Sequence, residues 1–386
     1  MSRAVDILRE LVAIPSVSSM SNRPVIEAAE RLLGASGWSS RLLPYRDGQG
    51  HDGPGVEKVN LIARPSGQNA SSIDLAFVCH TDTVPFDLHA WPEATSLSER
   101  EGMLHGCGAC DVKGSLAGIL AAIARTTGEE IARGVALILT ADEEIGCVGA
   151  TKLLAGETLR IKRVLVCEPT SLRPAVAGKG YGLAEVRVAG KEAHSAFPQQ
   201  GASAIYTAAQ MMLAIRGRTG QMQNALFDPP HTTFNVGMVQ GGTAKNIIPG
   251  ECRFLVEWRP LPEENPSTAI EWLKELAAAT EQSNSGCVIT VEALRADAGF
   301  ASPADSPFVR DLSRQLGRAP TGISFGSEAT RFARIADEVV VMGPGNMHTA
   351  HSDRECIPVE ELEAFAECVV GLLTAAPDSI GSHPSR

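Results

Sequence analysis

Short apolar runs and helical patterns alternate along the first half of the chain. Apolar runs at residues 73–79, 135–139 and 164–167 predict buried β-strands. Between them, the apolar spacing at residues 114–125 and 148–154 predicts helices. This βαβα alternation is typical of an α/β fold, a mostly parallel twisted sheet with helices on both faces. Because ligands of such sheets bind at the carboxyl ends of the strands, polar residues that follow these runs are the first candidates for a site.

The pattern changes near residue 178. Residues 181–189 alternate between apolar and polar side chains, as expected of a strand with one exposed face. Beginning with this strand, the predicted elements have the order βαββαβ, which is that of a ferredoxin-like α+β unit. The α/β pattern then returns. We therefore expect a larger domain made of residues 1–177 and 296–386, with a smaller domain of residues 178–295 inserted into it.

Length and charge narrow the class of protein. A chain of 386 residues exceeds one comfortable hydrophobic core, which agrees with two domains. The net charge of −11 argues against nucleic acid and against an anionic membrane as partners. No run approaches the roughly 18 apolar residues of a membrane span, and the N-terminal charges have the spacing of a surface helix, not of a secretory signal. Nine cysteines, an odd number, fit reduced thiols in a cytoplasmic protein better than disulfides.

The segment Thr140-Ala-Asp-Glu-Glu144 brings three consecutive carboxylates to the end of the apolar run at 135–139. Buried, unpaired carboxylates are too costly to keep unless a metal or a proton neutralises them. Glu143 and Glu144 are adjacent and cannot point the same way. One can therefore bind a metal while the other faces a water, which is the division that hydrolysis needs. The alternative, an exposed acidic turn, fits poorly after so apolar a run.

Two earlier segments offer further ligands. His80-Thr-Asp82 ends the first strand, where a histidine can bind a metal and a carboxylate two residues later can hold its second ring nitrogen; a capping histidine is the alternative. Asp111 lies in the glycine-rich segment 106–114, ahead of a helix. That segment has neither the G-K-[ST] order of a phosphate loop, nor a second C-x-x-C pair, nor the dinucleotide fingerprint. Asp111 can therefore approach a metal closely, or else it caps the helix.

Later segments complete the set. Glu168 follows the third strand, with a solvated loop acid as the alternative, and the segment 343–355 offers His348 and His351, between which spacing does not choose. His194 lies in the inserted domain and, taken alone, is an ordinary loop histidine. Two histidines and three carboxylates suit two divalent cations about 3.5–4 Å apart that share one carboxylate. Each segment is weak evidence by itself, and their order along the α/β domain is what indicates a dinuclear site.

These motifs, in this order, resemble those of the M20 family of di-zinc metallohydrolases. The shared signatures are H-x-D, G-x-G-x-x-D-x-K-G, E-E, E-P-T and A-H-x-x-x-E, and the resemblance spans nearly the whole chain. It implies two divalent metal ions as cofactors, zinc in the first place and cobalt as the alternative. The implied ligands are His80 and Glu168 for one metal, Glu144 and His351 for the other, and Asp111 as the bridge. The A-H-x-x-x-E signature favours His351 over His348.

The resemblance also implies catalytic roles. Glu143 matches the general base, which takes a proton from water and passes it to the leaving amine. Asp82 matches the residue that orients His80. His194 matches a histidine of the inserted domain that stabilises the oxyanion, often in the site of the partner subunit. The inserted domain is then a lid and dimerisation domain, and the protein is expected to be a homodimer.

Substrate contacts follow from the same likeness. Asn246 and Arg259 match positions that contact substrate, and an arginine suits a bidentate grip on an α-carboxylate; an exposed surface arginine is the alternative. Segments such as Phe325-Gly-Ser-Glu328 are similar to those of members that deacetylate ornithine-type amino acids. The resemblance therefore implies an amidohydrolase that removes the acetyl group from N-acetyl-L-ornithine, a small N-acylated amino acid, with N-acetylcitrulline, N-succinyl-diaminopimelate or a dipeptide as the alternative substrates. A non-catalytic relative should lack a ligand or the base, and none is missing. Cys107 departs from the family, since many relatives have arginine there.

Overall fold

The chain forms two compact units in the computed structural model, which describes residues 2–47, 55–68, 72–126 and 130–375. The first unit contains Met1–Val176, Ser302–Thr321 and Ser327–Arg386, and the second contains Ala177–Ala301 and Gly322–Gly326. The second unit therefore includes residues 296–301 and 322–326, which the sequence analysis had placed in the larger domain. Residues 376–386 of that predicted domain lie outside the described residues.

The elements of the described residues are as follows. The helices are α1 (Arg3–Val12), α2 (Arg23–Ala35), α3 (Gly114–Ile123), α4 (Val148–Gly156), α5 (Ala204–Arg216), α6 (Thr268–Ser283), α7 (Pro307–Leu316), α8 (Ala329–Phe332) and α9 (Val359–Thr374), with a π-helical turn at Ala109–Lys113 and a 3-10 turn at Pro198–Gln200. The strands are β1 (Trp38–Asp47), β2 (Val56–Pro65), β3 (Ile73–His80), β4 (Ser98–Arg100), β5 (Met103–His105), β6 (Val135–Thr140), β7 (Ile161–Val166), β8 (Ala175–Gly178), β9 (Tyr181–Ala189), β10 (Thr233–Gly241), β11 (Glu251–Arg259), β12 (Val288–Asp297), β13 (Phe300–Ala301), β14 (Thr321–Ile323), β15 (Ala336–Val341) and β16 (Cys356–Pro358).

The main sheet has the strand order β1-β2-β6-β3-β7-β15-β8. Its central strands β6, β3, β7 and β15 pair in parallel, whereas β1, β2 and β8 are antiparallel to their neighbours. The prediction of an α/β fold with a mostly parallel sheet is confirmed. Because the four parallel strands run in one direction, the residues that follow them emerge at the same edge of the sheet.

Three helices of the first unit, α1, α3 and α9, pack against one another. The helix α3 is buried along its whole length. The helix α1 is amphipathic: Leu8 and Leu11 are fully buried, while Asp6 and Arg9 pair on the exposed side. Burying one such leucine side chain contributes about 1.5–3 kcal/mol. This packing holds α3 in place directly after the turn that carries Asp111.

The second unit is built as the sequence pattern predicts. Its elements follow the order β9-α5-β10-β11-α6-β12, and its antiparallel sheet has the strand order β10-β11-β9-β12. This is the arrangement of a ferredoxin-like unit. Phe254, Trp258, Met211 and Leu273 lie in its core. Gly182 faces Trp258, and a Cβ atom there would lie 1.8 Å from the indole ring, so the close packing requires glycine.

Two further features bear on the sequence expectations. None of the described helices combines the length and the apolar character that a membrane span requires. The nine cysteines are all buried free thiols.

Candidate metal centre

Five of the sequence-predicted residues lie at the carboxyl edge of the main sheet. His80 ends β3, Glu144 lies four residues beyond the end of β6, and Glu168 lies two residues beyond β7. His351 comes from the segment after β15, and Asp111 from the kinked turn Ala109–Lys113 ahead of α3, where its own φ and ψ of −121° and 87° are not helical. The parallel order of these strands is the reason why residues as distant in sequence as His80 and His351 converge here.

The first cluster consists of His80, Asp111 and Glu168, all buried. The Nε2 atom of His80 lies 2.9 Å from Oδ1 of Asp111 and 3.9 Å from Oε1 of Glu168. Each of the three residues offers one nitrogen or oxygen atom, and these atoms lie within 4.8 Å of one another.

The second cluster consists of Asp111, Glu144 and His351. The Nε2 atom of His351 lies 3.1 Å from Oδ2 of Asp111 and 3.1 Å from Oε2 of Glu144. The side chain of His351 is 48% exposed, so this cluster opens toward solvent. His348 is exposed and is in neither cluster; its backbone N–H donates to the side chain of Asn346.

Asp111 is common to both clusters, with one carboxylate oxygen toward each histidine. Gly108 lies three residues before Asp111, and its φ of +75° favours glycine. A Cβ atom at this position would also lie 2.8 Å from the side chain of Thr83. The peptide between Asp111 and Val112 is cis. The glycine-rich turn thus presents a single buried carboxylate between two histidines, as the motif indicates.

Glu355 holds this turn, a role that the sequence analysis missed. Its carboxylate accepts hydrogen bonds from the backbone N–H groups of Gly108, Cys110 and Asp111, at 3.0, 2.9 and 3.0 Å. Glu355 had served only to recognise the A-H-x-x-x-E signature. The signature itself was a signal for this role. It includes an acid four residues after His351 that is not among the proposed metal ligands, so a separate function could have been expected for it.

Asp82 has more partners than expected. The Nδ1 atom of His80 lies 3.0 Å from the backbone carbonyl of Asp82 and 3.6 Å from its carboxylate. The same carboxylate accepts the hydroxyl of Ser18 and the backbone N–H groups of Glu143 and Glu144, at 2.7, 3.1 and 3.3 Å. Asp82 therefore fixes the turn after β6 as well as lying beside His80.

The three consecutive acids after β6 point to different partners. Glu144 belongs to the second cluster, and Glu143 accepts a hydrogen bond from the Cys147 thiol at 3.4 Å. Asp142, to which the sequence assigns no role, is fully buried, and its Oδ1 atom lies 2.7 Å from Nζ of Lys58. The separation of duties expected for Glu143 and Glu144 is thus possible in this geometry, since their carboxylates do not share partners.

Another buried acid, Glu328, contacts the last residue of β6. Its side chain is fully buried, and its Oε2 atom accepts a hydrogen bond from Thr140 at 2.8 Å. Burial raises the pKa of Glu328 to about 7. The sequence analysis named Glu328 only within a segment typical of related enzymes, because nothing in the sequence shows that it packs against Thr140.

Burial dominates the electrostatics of the clusters. It raises the pKa of Glu168 well above its usual range, and the nearby Asp111 carboxylate raises it further. Burial also raises the pKa of Glu143 to about 8, with the Glu144 carboxylate contributing. The pKa of His351 is raised to about 10 by its hydrogen bonds to Asp111 and Glu144. Carboxylates are thus crowded into a region of low polarity.

This donor set fits two divalent metal ions. Imidazole nitrogens and carboxylate oxygens are suitable ligands for zinc and for neighbouring divalent transition metals. Each cluster gathers its ligand atoms within 4.8 Å, and Asp111 can serve both ions at once. A cation placed among these carboxylates would offset the desolvation and the mutual repulsion that raise the pKa values of Glu168, Glu143 and Glu144.

The other predicted residues belong to the second unit. His194 is exposed, its Nδ1 atom accepts the backbone N–H of Ala196, and it forms a β-bridge with Ile247. The backbone carbonyl of Asn246 accepts the N–H of Ser195, so these two loops are paired. Arg259 ends β11, donates to Glu257 at 2.8 Å and lies over the ring of Tyr181 at 4.6 Å.

Comparison with known proteins identifies the family. The sequence pattern of peptidase family M20/M25/M40 matches residues 76–375. The chain belongs to this family. The acetylornithine deacetylase of Myxococcus xanthus is 41% identical over 360 residues, covering 92% of each chain. The acetylornithine deacetylase of Proteus mirabilis is 30% identical over 381 residues, covering 96% of this chain and 95% of the relative.

A solved M20-type structure agrees with the fold. The crystal structure of aminopeptidase PepT from Bacillus cereus superposes with a TM-score of 0.76 at 25% identity, covering 96% of this chain and 97% of that one. Membership of the M20 family and the two deacetylase relatives make this chain a metal-dependent amidohydrolase, a hydrolase of amide bonds.

Proposed function

We propose that this M20 enzyme hydrolyses N-acetyl-L-ornithine to L-ornithine and acetate, a step of arginine biosynthesis. The observation that carries the proposal is its 41% identity, across 92% of both chains, to an acetylornithine deacetylase. The pair of clusters around Asp111 supports the same chemistry, because amide hydrolysis needs a polarised carbonyl and an activated water.

The two metal ions are assigned to the residues that cluster. His80, Asp111 and Glu168 would hold one ion, and Asp111, Glu144 and His351 the other. When bound, two divalent ions supply Lewis acidity toward the amide carbonyl and acidify the attacking water. Zinc is the first candidate and cobalt the second, since both accept nitrogen and oxygen ligands.

Glu143 is assigned the proton transfer. Its carboxylate takes a proton from the attacking water and delivers it to the α-nitrogen that leaves. Glu143 is next to Glu144 in the chain yet belongs to neither ligand cluster, which supports this role. Burial raises the pKa of Glu143 to about 8 without bound cations. Cations bound beside it would lower that pKa, so that the carboxylate is available as a base near neutral pH. Asp82 is assigned the positioning of His80 through the contacts at Nδ1.

Three residues of the second unit keep the roles that the family resemblance implies. Arg259 is assigned to the α-carboxylate of the substrate, for which its planar, five-donor side chain is suited. Asn246 is assigned to the same substrate, and His194 to the oxyanion. The exposure of His194 supports a role toward a substrate or a partner chain, and a homodimer is part of the proposal.

The test is a side-by-side measurement of hydrolysis by zinc-loaded and by cobalt-loaded protein. We expect kcat/KM for N-acetyl-L-ornithine to exceed that for N-acetylcitrulline and for N-succinyl-diaminopimelate by about tenfold or more, as differential contacts of 1–3 kcal/mol allow. Treatment with a chelator should abolish the activity, and restored metal should return it. Faster hydrolysis of either alternative substrate, or of a dipeptide, would replace the proposed substrate.

A further inference from the structure

Lys58 and Asp142 form an ion pair that is closed off from solvent. Their Nζ and Oδ1 atoms are 2.7 Å apart, and both side chains are 0% exposed. Lys58 lies inside strand β2, and Asp142 is the first acid of the turn after β6. Charges are rarely kept in such a place without a partner or a function, because desolvation of the two ions is costly.

Each member of the pair has further polar contacts. The Lys58 ammonium also donates to the backbone carbonyls of Ser18 and Met20, at 2.6 and 2.7 Å. The other carboxylate oxygen of Asp142 accepts the hydroxyl of Tyr45 at 2.8 Å. Asp142 has φ of +58°, a backbone conformation that few residues other than glycine adopt.

These contacts lead back to the candidate site by a second route. The hydroxyl of Ser18 donates to Asp82 at 2.7 Å, and Asp82 in turn accepts the backbone N–H groups of Glu143 and Glu144. The turn after β6 is therefore held at two points. Asp142 is held by its ion pair with Lys58. Glu143 and Glu144 are held by Asp82, which accepts their backbone N–H groups. Lys58 also bonds the backbone carbonyl of Ser18, whose hydroxyl donates to Asp82, so the lysine is linked to both points.

We propose that Lys58 and Asp142 are positioning residues. They hold the Asp142–Glu144 turn and the Ser18–Met20 segment together, so that Glu143 and Glu144 keep their positions in the candidate metal centre. The inference rests on the proposed function of those two glutamates and adds a pair that touches neither substrate nor metal. It differs from a purely structural role, in which the two charges would only satisfy each other. Small displacements of a catalytic group lower the rate steeply. A positioning role therefore predicts a lower kcat when the pair is removed, whereas a purely structural role predicts a loss of stability alone.

The test compares single and double charge removal. Lys58→Met and Asp142→Asn each leave one buried charge without its partner, so both should lower Tm. The double variant K58M/D142N has no unpaired charge and should regain much of the lost Tm. We expect its kcat for N-acetyl-L-ornithine to stay about 10- to 100-fold below that of the native enzyme at saturating zinc, with KM nearly unchanged. Its zinc affinity, measured by competition with a chelator, should also fall by about 10- to 100-fold.

A matched control lies next to Lys58 on the same strand. Glu57 pairs with Arg23 at 2.8 Å, but both side chains are partly exposed, and neither contacts the turn after β6. Glu57→Gln should leave Tm within a few degrees of the native value, as expected of a surface pair. Its kcat and zinc affinity should stay within about twofold of the native values.

Ser18→Ala provides a second variant in case the double variant fails to fold. It removes only the hydroxyl that links the Ser18–Met20 segment to Asp82 and leaves the ion pair in place. We expect lower kcat and a Tm only a few degrees below the native value, as the loss of one buried hydrogen bond implies. The proposal is overturned if K58M/D142N regains native kcat and zinc affinity together with Tm, or, where that variant does not fold, if Ser18→Ala is kinetically native. If native enzyme does not hydrolyse N-acetyl-L-ornithine, the proposed function fails, and zinc affinity still decides the positioning role.

Discussion

Single residues at the edge of the main sheet divide the chemistry between binding and proton transfer. Glu143 and Glu144 are neighbours in sequence, yet only Glu144 joins a cluster of ligand atoms. Burial is the main cause that raises the pKa of Glu143 to about 8 without bound cations, and cations bound beside it would lower that pKa, so the side chain can release a proton as well as hold one. The proposed mechanism therefore depends on one side chain more than on any other.

Glu143→Gln tests that dependence. The amide keeps the size of the side chain but cannot take a proton from water, so kcat should fall by roughly 100- to 10,000-fold. Zinc content per chain should remain native, because Glu143 is in neither cluster. Measured kcat and metal analysis of the same sample check both statements. Glu157→Gln, on the surface beside Arg41, is the control. Near-native turnover with metal bound would remove Glu143 from the mechanism.

Glu328 gives a stability prediction with a definite sign. Burial raises its pKa in the folded state to about 7, from 4.5 in a free side chain. Between these pH values the folded state holds a proton that the unfolded state has lost. The resulting stabilisation is present at low pH and is lost as the pH rises through about 7.

Glu328→Gln removes that loss while keeping an acceptor for the Thr140 hydroxyl. Relative to the native chain, the free energy of unfolding of the variant should therefore rise between pH 5 and pH 8, by about 2.5 kcal/mol for pKa values of 4.5 and about 7. Urea unfolding of both metal-free proteins at the two pH values measures the difference. An equal pH dependence in the two proteins would mean that Glu328 titrates normally.

The ligand residues could be predicted from sequence because each follows an apolar run that is easy to recognise. Residues whose importance comes from a distant partner could not. Lys58 lies in a strand, where its charge interrupts the apolar pattern, and its partner Asp142 is 84 positions away in sequence. Glu328 is likewise unremarkable until it is seen to be buried against Thr140.

At the scale of elements, the dependence on distant partners also explains which strands could be predicted from the sequence. β3, β6 and β9 were predicted close to their observed bounds, because their side chains are continuously apolar or alternate regularly. β1 and β2 were missed. β1 contains Pro44 and several polar residues, and β2 buries Lys58 and Asn60, whose partners lie in other segments. A buried polar residue in a strand is satisfied only by tertiary structure, so local sequence argues against the strand that forms.

Short connections between elements are the basis for a third prediction. The Glu355 carboxylate, ahead of β16, holds three N–H groups of the turn that carries Asp111. In Glu355→Gln the amide has one acceptor oxygen, and its NH2 group faces backbone donors. The free energy of unfolding should fall by about 1–3 kcal/mol, the cost of buried donors without acceptors, and zinc affinity should weaken. Urea unfolding and chelator competition measure these effects. Glu367→Gln, in an exposed pair with Arg125, should change neither.

At the scale of the whole molecule, the two-part organisation was foreseen from the change in periodicity near residue 178. The boundary differs because strand β13 and residues 322–326 belong with the second unit, although they come after the ferredoxin-like pattern has ended. Such short returning segments contain too few residues to show a period. Their place is decided by contacts with distant strands.

The second unit also presents the surface on which a homodimer would depend. In its sheet β10 is an edge strand, and Met238 and Val239 on it are 67% and 60% exposed. Leu213, on the neighbouring helix α5, is 65% exposed and lines a groove of about 510 Å³ with residues of β10. Exposed apolar residues beside an unpaired strand edge are a costly surface for a monomer, and a second copy of the chain would cover them.

The double variant L213E/M238E tests this last expectation. Two carboxylates placed on the apolar surface would be desolvated in a dimer, so we expect the native chain to be a dimer and the variant a monomer in analytical ultracentrifugation at micromolar concentration. Leu88→Glu is the matched control, since Leu88 is an exposed leucine, 53% accessible, in the first unit. It should leave the mass unchanged. A native chain that sediments as a monomer would refute the expected dimer and would leave His194 without the partner subunit that its proposed role invokes. A variant that remains a dimer would place the interface elsewhere.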